Sequence, residues 1–375
     1  MQRHRIAPRA NWQTIVESQG LHFHSIDGEP YWDESACYSF RSSEIDQLER
    51  ATYALNDMCL QAAEYVLEKN LLSKFLIPAE FHDWVRQSWD NDEHTVYGRF
   101  DFSFSPGGVP QLLEYNADTP TSLLEAAVIQ WFWLQDTHPQ LDQFNSIHER
   151  LIEIWKVLAS KVDRQIYFAS LADNVEDFMT VNYLRDTAVQ AGLRTEYLAI
   201  EQIAWNPMRK QFVDSQECDI RNIFKLYPWE WMVREPFGPQ LRSDKTRWFE
   251  PPWKMLLSNK AILPILWELF PSSPYLLRAE FEPFGETYVR KPLLSREGAN
   301  ISFVHNGQAV YETDGPYKGP YVYQEVCSVP QFDDKYTIVG SWIINGYACG
   351  IGIREDTQPV TQNTARFVPH YIEGL

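Results

Sequence analysis

The sequence predicts an α/β (α+β) fold, and three stretches carry that expectation. Residues 97–125 read as a hairpin running into a helix, and residues 165–200 as a β-α-β unit. From Ala279 onward the chain turns to short strands and turns. With 375 residues, 44% of them apolar and 14% aromatic, it can bury two or three packed layers, or two subdomains around a cleft. That composition rules out disorder.

Residues 1–40 hold Phe23, Tyr31, Trp32, Tyr38 and Phe40 without a clear period, as loops and short helices packed on the body would. From Ser43 the pattern becomes helical. Ser43 with Asp46 resembles a capping box, and Leu48, Ala51, Leu55, Met58 and Ala62 recur at helical spacing to about Lys69. Residues 75–89 form a second, less regular helical stretch. The hairpin follows. Phe100, Phe102 and Phe104 alternate with Arg99, Asp101 and Ser103, Pro106-Gly107-Gly108 turns the chain, and the return strand runs from Pro110 to Asn116. Alternation brings Arg99 and Asp101 near Glu114 and Asn116. Hard oxygen ligands beside a guanidinium suit Mg²⁺ and a phosphate, although an amphipathic hairpin with a wet face has the same pattern.

Asp118-Thr119-Pro120-Thr121 then reads as a turn at the N-terminus of a helix over Ser122–Leu134. Free N–H groups there favour an anion, and an ordinary cap uses Thr in the same way. Residues 146–161 make another amphipathic helix. In the β-α-β unit, Gln165–Leu171 and Arg194–Ile200 are strands, Asn174–Gln190 is the helix and Gly192 its C-terminal stop. Lacking G-x-G-x-x-G, the unit does not support a dinucleotide site. Its Glu176-Asp177 pair sits where open α/β sheets place ligand groups, and also where any helix favours acids. A Pro- and Trp-rich region at 228–253 is the best candidate boundary. Asn259 opens a helix ending at Pro271, and strands follow to Ile353. Between the strands at 287–291 and 301–305, a Gly-containing loop with Lys and Arg suits a cover over phosphates, without being a Walker A loop.

Several classes are disfavoured. A net charge of −18 argues against general nucleic-acid binding. Five scattered cysteines without a C-x-x-C pair read as reduced thiols, hence a cytoplasmic setting. The basic start lacks an apolar h-region, and no run of 18 apolar residues marks a membrane span. Nine histidines form no H-E-x-x-H array.

Five motifs, taken together, resemble a known family. They are R-F-D-F-S from Arg99, L-L-E-Y-N-A-D-T-P-T from Leu112, S-N-K-A-I-L-P-I-L-W from Ser258, V-R-K-P-L-L-S-R-E-G-A-N from Val289 and G-I-G-I-R-E from Gly350. In this order they are similar to the synthetase part of glutathionylspermidine synthase, and more so to the stand-alone bacterial acid–amine ligases related to it. The resemblance implies an ATP-grasp fold with a preceding pre-ATP-grasp-like α/β region. Residues 1–375 would be one synthetase unit, with subregions near 1–145, 146–250 and 251–375 and a phosphate-covering loop at 291–301. It further implies Mg²⁺, ATP as cosubstrate, and an amide formed through an acyl-phosphate from small-molecule acid and amine substrates.

Carried over position by position, Asp101, Glu114 and Asn116 match the family's Mg²⁺ ligands, and Arg99 the arginine on the transferring phosphoryl group. Lys260, Lys291 and Arg354 match nucleotide-site cations, and Gln324 and Glu325 fall where adenine and ribose are held. Thr119, Glu176, Asp177 and Arg296 match substrate-handling positions. The chain departs from the pattern in leaving no room for an amidase ahead of its synthetase motifs. Arg-Glu-Gly-Ala replaces the usual Arg-Cys-Gly-Ser in the 292–300 loop, and Asn363 and Arg366 stand where acidic groups are expected. The implied reaction is therefore an acid–amine ligation whose substrates resemble, without being fixed as, a glutathione-like peptide and a polyamine. Two alternatives stay open: a glutathionylspermidine synthetase proper without amidase, and a non-catalytic nucleotide-binding protein. The 292–300 loop is expected to be mobile when empty and to close over the intermediate.

Overall fold

A computed structural model describes residues 1–243 and 245–374. The hairpin forms as Tyr97–Ser103 and Gln111–Asn116. It does not stand alone. Tyr97–Ser103 pairs on its other edge with Lys335–Ile344, and the sheet continues through Tyr347–Asp356 to Arg366–Val368. All seven residues of Tyr97–Ser103 are buried, as a central strand requires. Phe100, Phe102 and Phe104 enter an apolar cluster with Leu48, Ala51 and Leu55 of the long helix Ser42–Glu68. That helix starts one residue before the expected Ser43. Glu44, not Asp46, closes its first turn by accepting the Arg41 N–H at 2.9 Å.

A four-stranded parallel sheet has the spatial order Arg247–Phe249, Asn222–Lys225, Gln165–Ser170, Arg194–Ala199. The helix Val175–Gln190 crosses between its last two strands, capped by Asn174 Oδ1, which accepts the Asp177 N–H at 3.0 Å. Gly192, at φ +88°, lets the chain leave that helix. The Pro- and Trp-rich region is more than a connector, because Arg247–Phe249 supplies an edge strand to this sheet.

A five-stranded antiparallel sheet runs Ala279–Glu280, Tyr321–Gln324, Tyr288–Pro292, Ser302–His305, Gln308–Glu312. The helix before it, Ile262–Leu269, begins later than Asn259 because Asn259 Oδ1 accepts the Ala261 N–H at 2.9 Å and holds a turn there. Pro264 is its third residue, where a missing N–H costs no helical bond. Both chain ends meet in a small sheet, with Ala36–Phe40 between Gln2–Arg5 and His370–Ile372. Pairing therefore joins early and late residues in two of the sheets.

The helix after the hairpin is not the uninterrupted Ser122–Leu134 expected. Ser122 has φ +64°, and the turn Glu125–Ile129 is a wide π turn ahead of Gln130–Thr137. Among the described residues no helix is long and apolar enough to cross a membrane.

Candidate active site

A cavity of about 240 Å³ opens between the hairpin sheet, the five-stranded sheet and the C-terminal ends of the parallel strands. All thirteen residues that the sequence matched to metal, nucleotide and substrate positions line it. Strand register explains the first four. Asp101 lies opposite Glu114 and Arg99 opposite Asn116. A bulge after Asp101 leaves Leu113 as the extra residue, so the four polar side chains share one face while Phe102 still pairs with Leu112.

Arg99 is only 6% exposed. Its Nε and Nη2 donate to the two Asp101 oxygens at 2.7 and 3.1 Å, and Nη1 donates to the Thr121 carbonyl at 2.7 Å. Burial alone lowers its pKa, but Asp101 outweighs burial and raises it. The chain across the sheet makes room for this side chain. Gly340 faces Asp101, and a Cβ there would come within 2.8 Å of Arg99 Cδ. Arg354 and Asn116 also donate to Asp101 Oδ2, at 2.6 and 3.1 Å.

The two lysines arrive from different elements. Lys260 Nζ reaches Glu114 at 3.0 Å and the Ser295 carbonyl at 2.6 Å. Lys291 Nζ donates to Gln324 Oε1 at 2.6 Å and to the Leu113 carbonyl at 3.0 Å. Burial pulls the Lys291 ammonium down to about 8, with Glu114 opposing the shift. Glu114 itself is held well below the carboxylate range, because Lys260, Lys291 and Arg354 outweigh its burial. Gln324 spends its amide on Lys291 and, through Nε2, on the Leu112 carbonyl at 3.1 Å, which fixes the lysine. Glu325 is exposed at the rim.

Arg296 brings the 292–300 loop across the cavity. Both terminal nitrogens donate to Thr119 Oγ1 at 2.8 Å, and Nε pairs with Glu230 at 3.1 Å. Thr119 is steadied by its neighbour Asp118, a fully buried carboxylate paired with the equally buried Lys225 and bonded by the Trp229 N–H at 3.0 Å. Gly298, at φ +69°, lets the loop lie against Thr361, whose carbonyl a Cβ there would meet at 2.6 Å.

The opposite end of the cavity is acidic. Glu176 and Asp177 project from the start of the helix Val175–Gln190, with Glu297 and Tyr31 also in the lining. Burial, then Glu176 and Glu297, pushes Asp177 up to about 7, and burial raises Glu176. Asn363 joins this lining, whereas Arg366 is turned away to Asp33 at 2.8 Å and Glu29 at 2.9 Å. Tyr31, Glu230, Glu297 and Gly340 were not legible in the sequence, where each looks like an ordinary loop, helix or strand residue.

Two antiparallel sheets closing a cation-rich cavity beside a parallel α/β sheet define an ATP-grasp α/β protein. A glutathione synthetase-like effector from Globodera pallida has the same overall fold, with a TM-score of 0.56 at 10% identity over 98% of this chain and 100% of that one. The chain belongs to the family described as glutathionylspermidine synthase preATP-grasp, whose model matches residues 3–373. It is 41% identical over 363 residues to a Haemophilus influenzae protein provisionally named an acid–amine ligase, covering 92% of each. It is 30% identical to the trypanothione synthetase of Crithidia fasciculata, covering 82% of this chain and 52% of that protein. Against the bifunctional glutathionylspermidine synthetase/amidase of Escherichia coli the identity is 27%, covering 88% and 58%. The chain thus spans little more than half the length of these last two relatives.

Proposed function

We propose that this protein is an ATP- and Mg²⁺-dependent acid–amine ligase that forms an amide through an acyl-phosphate. The observation that carries the reading is the convergence in one cavity of Asp101, Glu114 and Asn116 with Arg99, Lys260, Lys291 and Arg354. A binding-only relative would be free to lose the carboxylates among its phosphate-binding cations, and this chain keeps them. The names of the relatives, all but one of them synthetases, support the same chemistry.

The donor set fits Mg²⁺. Among the described residues no three His, Cys, Asp or Glu side chains gather as a closed metal cage. Two carboxylates and an amide oxygen suit an ion that takes its other ligands from phosphates and water. When bound by Asp101, Glu114 and Asn116, Mg²⁺ would supply charge neutralisation on the phosphoryl oxygens. The protein's own groups do the rest. Lys260, Lys291 and Arg354 hold the polyphosphate, and Arg99 meets charge on the transferring phosphoryl group as the acid's carboxylate attacks. Arg296 latches the 292–300 loop to Thr119 and Glu230, excluding water while the amine attacks the acyl-phosphate. Glu325 reaches the ribose end, and Gln324 acts by holding Lys291.

Glu176, Asp177 and Glu297 at the far end favour a cationic amine, such as a polyamine, with a peptide-like carboxylate between it and the nucleotide. We assign residues 1–375 to one synthetase unit with the subregions given above, acting in the cytoplasm, where its five cysteines stay free. The test is phosphate release from Mg-ATP with pooled peptide and carboxylic acids and pooled amines. Release that needs both pools, with an amide found by mass spectrometry, supports the ligase. ATP binding without release from any pool supports a binding-only protein.

A further inference from the structure

The Arg296 latch stands on a buried ion pair that takes no part in the chemistry proposed above. The side chains of Asp118 and Lys225 are both 0% exposed. Lys225 is the last residue of the strand Asn222–Lys225, and Asp118 lies just past the end of the strand Gln111–Asn116. Asp118 divides its two oxygens between two partners. Oδ1 accepts from Lys225 Nζ, and Oδ2 accepts the Trp229 N–H at 3.0 Å. Lys225 Nζ also stands 4.4 Å from the centre of a Trp229 ring. The next residue on each side is an anchor of the loop. Thr119 follows Asp118, Glu230 follows Trp229, and Arg296 bonds both. One carboxylate thus joins the two chain segments from which Arg296 is held. The second of those segments also supplies Leu226, Tyr227, Pro228 and Trp231 to the cavity wall.

Stability alone does not call for charges at this place. Well-packed apolar side chains of similar volume often stabilise a core as well as a buried ion pair, or better. What a carboxylate adds is two directed acceptors, and so a fixed distance between its partners. Arg296 needs such a distance, because its planar guanidinium presents N–H groups in a rigid fork. Its contacts to Thr119 at 2.8 Å and Glu230 at 3.1 Å cannot both survive a shift of about 1 Å between those anchors. We infer that Asp118, paired with Lys225, is the positioning residue that sets the Thr119–Glu230 spacing and so lets Arg296 close the 292–300 loop. Its effect on catalysis rests on the ligase reading, and its effect on the loop does not. Without the Asp118 carboxylate the anchors part, Arg296 keeps only one of them, and water reaches the activated carboxyl.

Hydrogen exchange of the full-length chain, read by mass spectrometry, tests the loop first. Within it, the Ala299 and Asn300 N–H groups donate to the Arg296 and Asp314 carbonyls and report closure. The variants are Asp118→Asn, Arg296→Ala, both together, and the apolar pair Asp118→Leu with Lys225→Met. Asp118→Asn should raise exchange in 292–300 about tenfold or more, to the level of Arg296→Ala, with Tyr97–Ser103 unchanged. Adding Arg296→Ala should raise it no further. The apolar pair should withstand as much urea as the native chain and still show the fast loop, whereas a merely structural role would return the loop to native exchange. Native-like loop exchange in either Asp118 variant overturns the inference, as does an Arg296→Ala effect that adds in full to Asp118→Asn. If Asp118→Asn fails to fold, the apolar pair decides alone, and a pair that also fails to fold assigns the charges to stability and overturns the inference. The second readout supplies Mg-ATP with the pooled acids and amines. The apolar pair should release about tenfold more phosphate per amide than the native chain, and an equal ratio overturns the catalytic role. A native chain that releases no phosphate contradicts the ligase reading for those pools, while loop exchange still decides the role of Asp118.

Discussion

Placing a methyl group at Gly340 tests how closely the site depends on strand packing. Gly340 faces Asp101 across the sheet, and its Cβ would stand 2.8 Å from Arg99 Cδ and 3.3 Å from Cγ and Nε. That is about 0.7 Å inside the ~3.5 Å at which carbon contacts become favourable. Arg99 cannot simply swing away, because three of its nitrogens are bonded to Asp101 and Thr121. Gly340→Ala should therefore cost about 1–3 kcal/mol as overpacking. Shifting the guanidinium by most of an ångström should also lower ATP turnover roughly 10–10²-fold, less than the 10²–10³ of losing a charge-stabilising donor outright. In an Arg99→Ala background the methyl has room. The double variant should then be about 1–3 kcal/mol more stable than the sum of the single changes predicts. Urea unfolding followed by tryptophan fluorescence measures all four corners of that cycle. Additivity to within about 0.5 kcal/mol would refute the claim that Gly340 exists to seat Arg99.

Three further outcomes follow from the same geometry. Lys291 titrates at about 8 in the free protein, so anionic phosphates should raise its pKa and draw a proton in. Calorimetry in buffers of different ionisation heat should find uptake absent near pH 6, rising through pH 8 and lost in Lys291→Met. Arg296→Ala should open the 292–300 loop, raise substrate KM, and increase phosphate release without amide formation by about tenfold, because water then reaches the activated carboxyl. Burial and then Glu176 hold the proton on Glu125 to about pH 7 in the native state, against an ordinary 4.5. The native state thus binds more protons between those values, and its stability falls as pH rises through them, by roughly 3 kcal/mol. Denaturant unfolding of Glu125→Gln at pH 5 and pH 8 should show that part of the decline gone.

Local patterns carried much of the fold. The phenylalanine alternation at 100–104 and the helical spacing from Leu48 to Ala62 each mark a side that faces the core, and a strand and a helix form there, although the strand lies two residues earlier than Arg99–Ser105 and is buried on both faces. The boundaries that moved did so for local reasons, such as the Glu44 carboxylate closing a helix start and Asn259 holding a turn. Long-range pairing was not legible. Nothing in Tyr97–Ser103 announces that its second partner is Lys335–Ile344, more than two hundred residues on, because strand pairing at that separation leaves no local pattern in either segment. The site shows the same division. Arg99, Asp101, Glu114 and Asn116 are polar residues at alternating positions of one hairpin, so their meeting follows from local geometry. Glu125 and Gly340 matter only because of what the folded chain sets against them. One looks like a surface acid on a helix and the other like a weak point in a strand.

Transfer of oxygen from the acid to phosphate tests the central claim most directly. An acid pool with ¹⁸O in its carboxylates would be incubated with Mg-ATP and the amine pool, using the native chain and Asp101→Ala, and the inorganic phosphate analysed by mass spectrometry. Activation through an acyl-phosphate puts one ¹⁸O into each phosphate formed by the native chain, with phosphate release falling to background in Asp101→Ala. Phosphate free of ¹⁸O alongside amide product, or full turnover by Asp101→Ala, would contradict it.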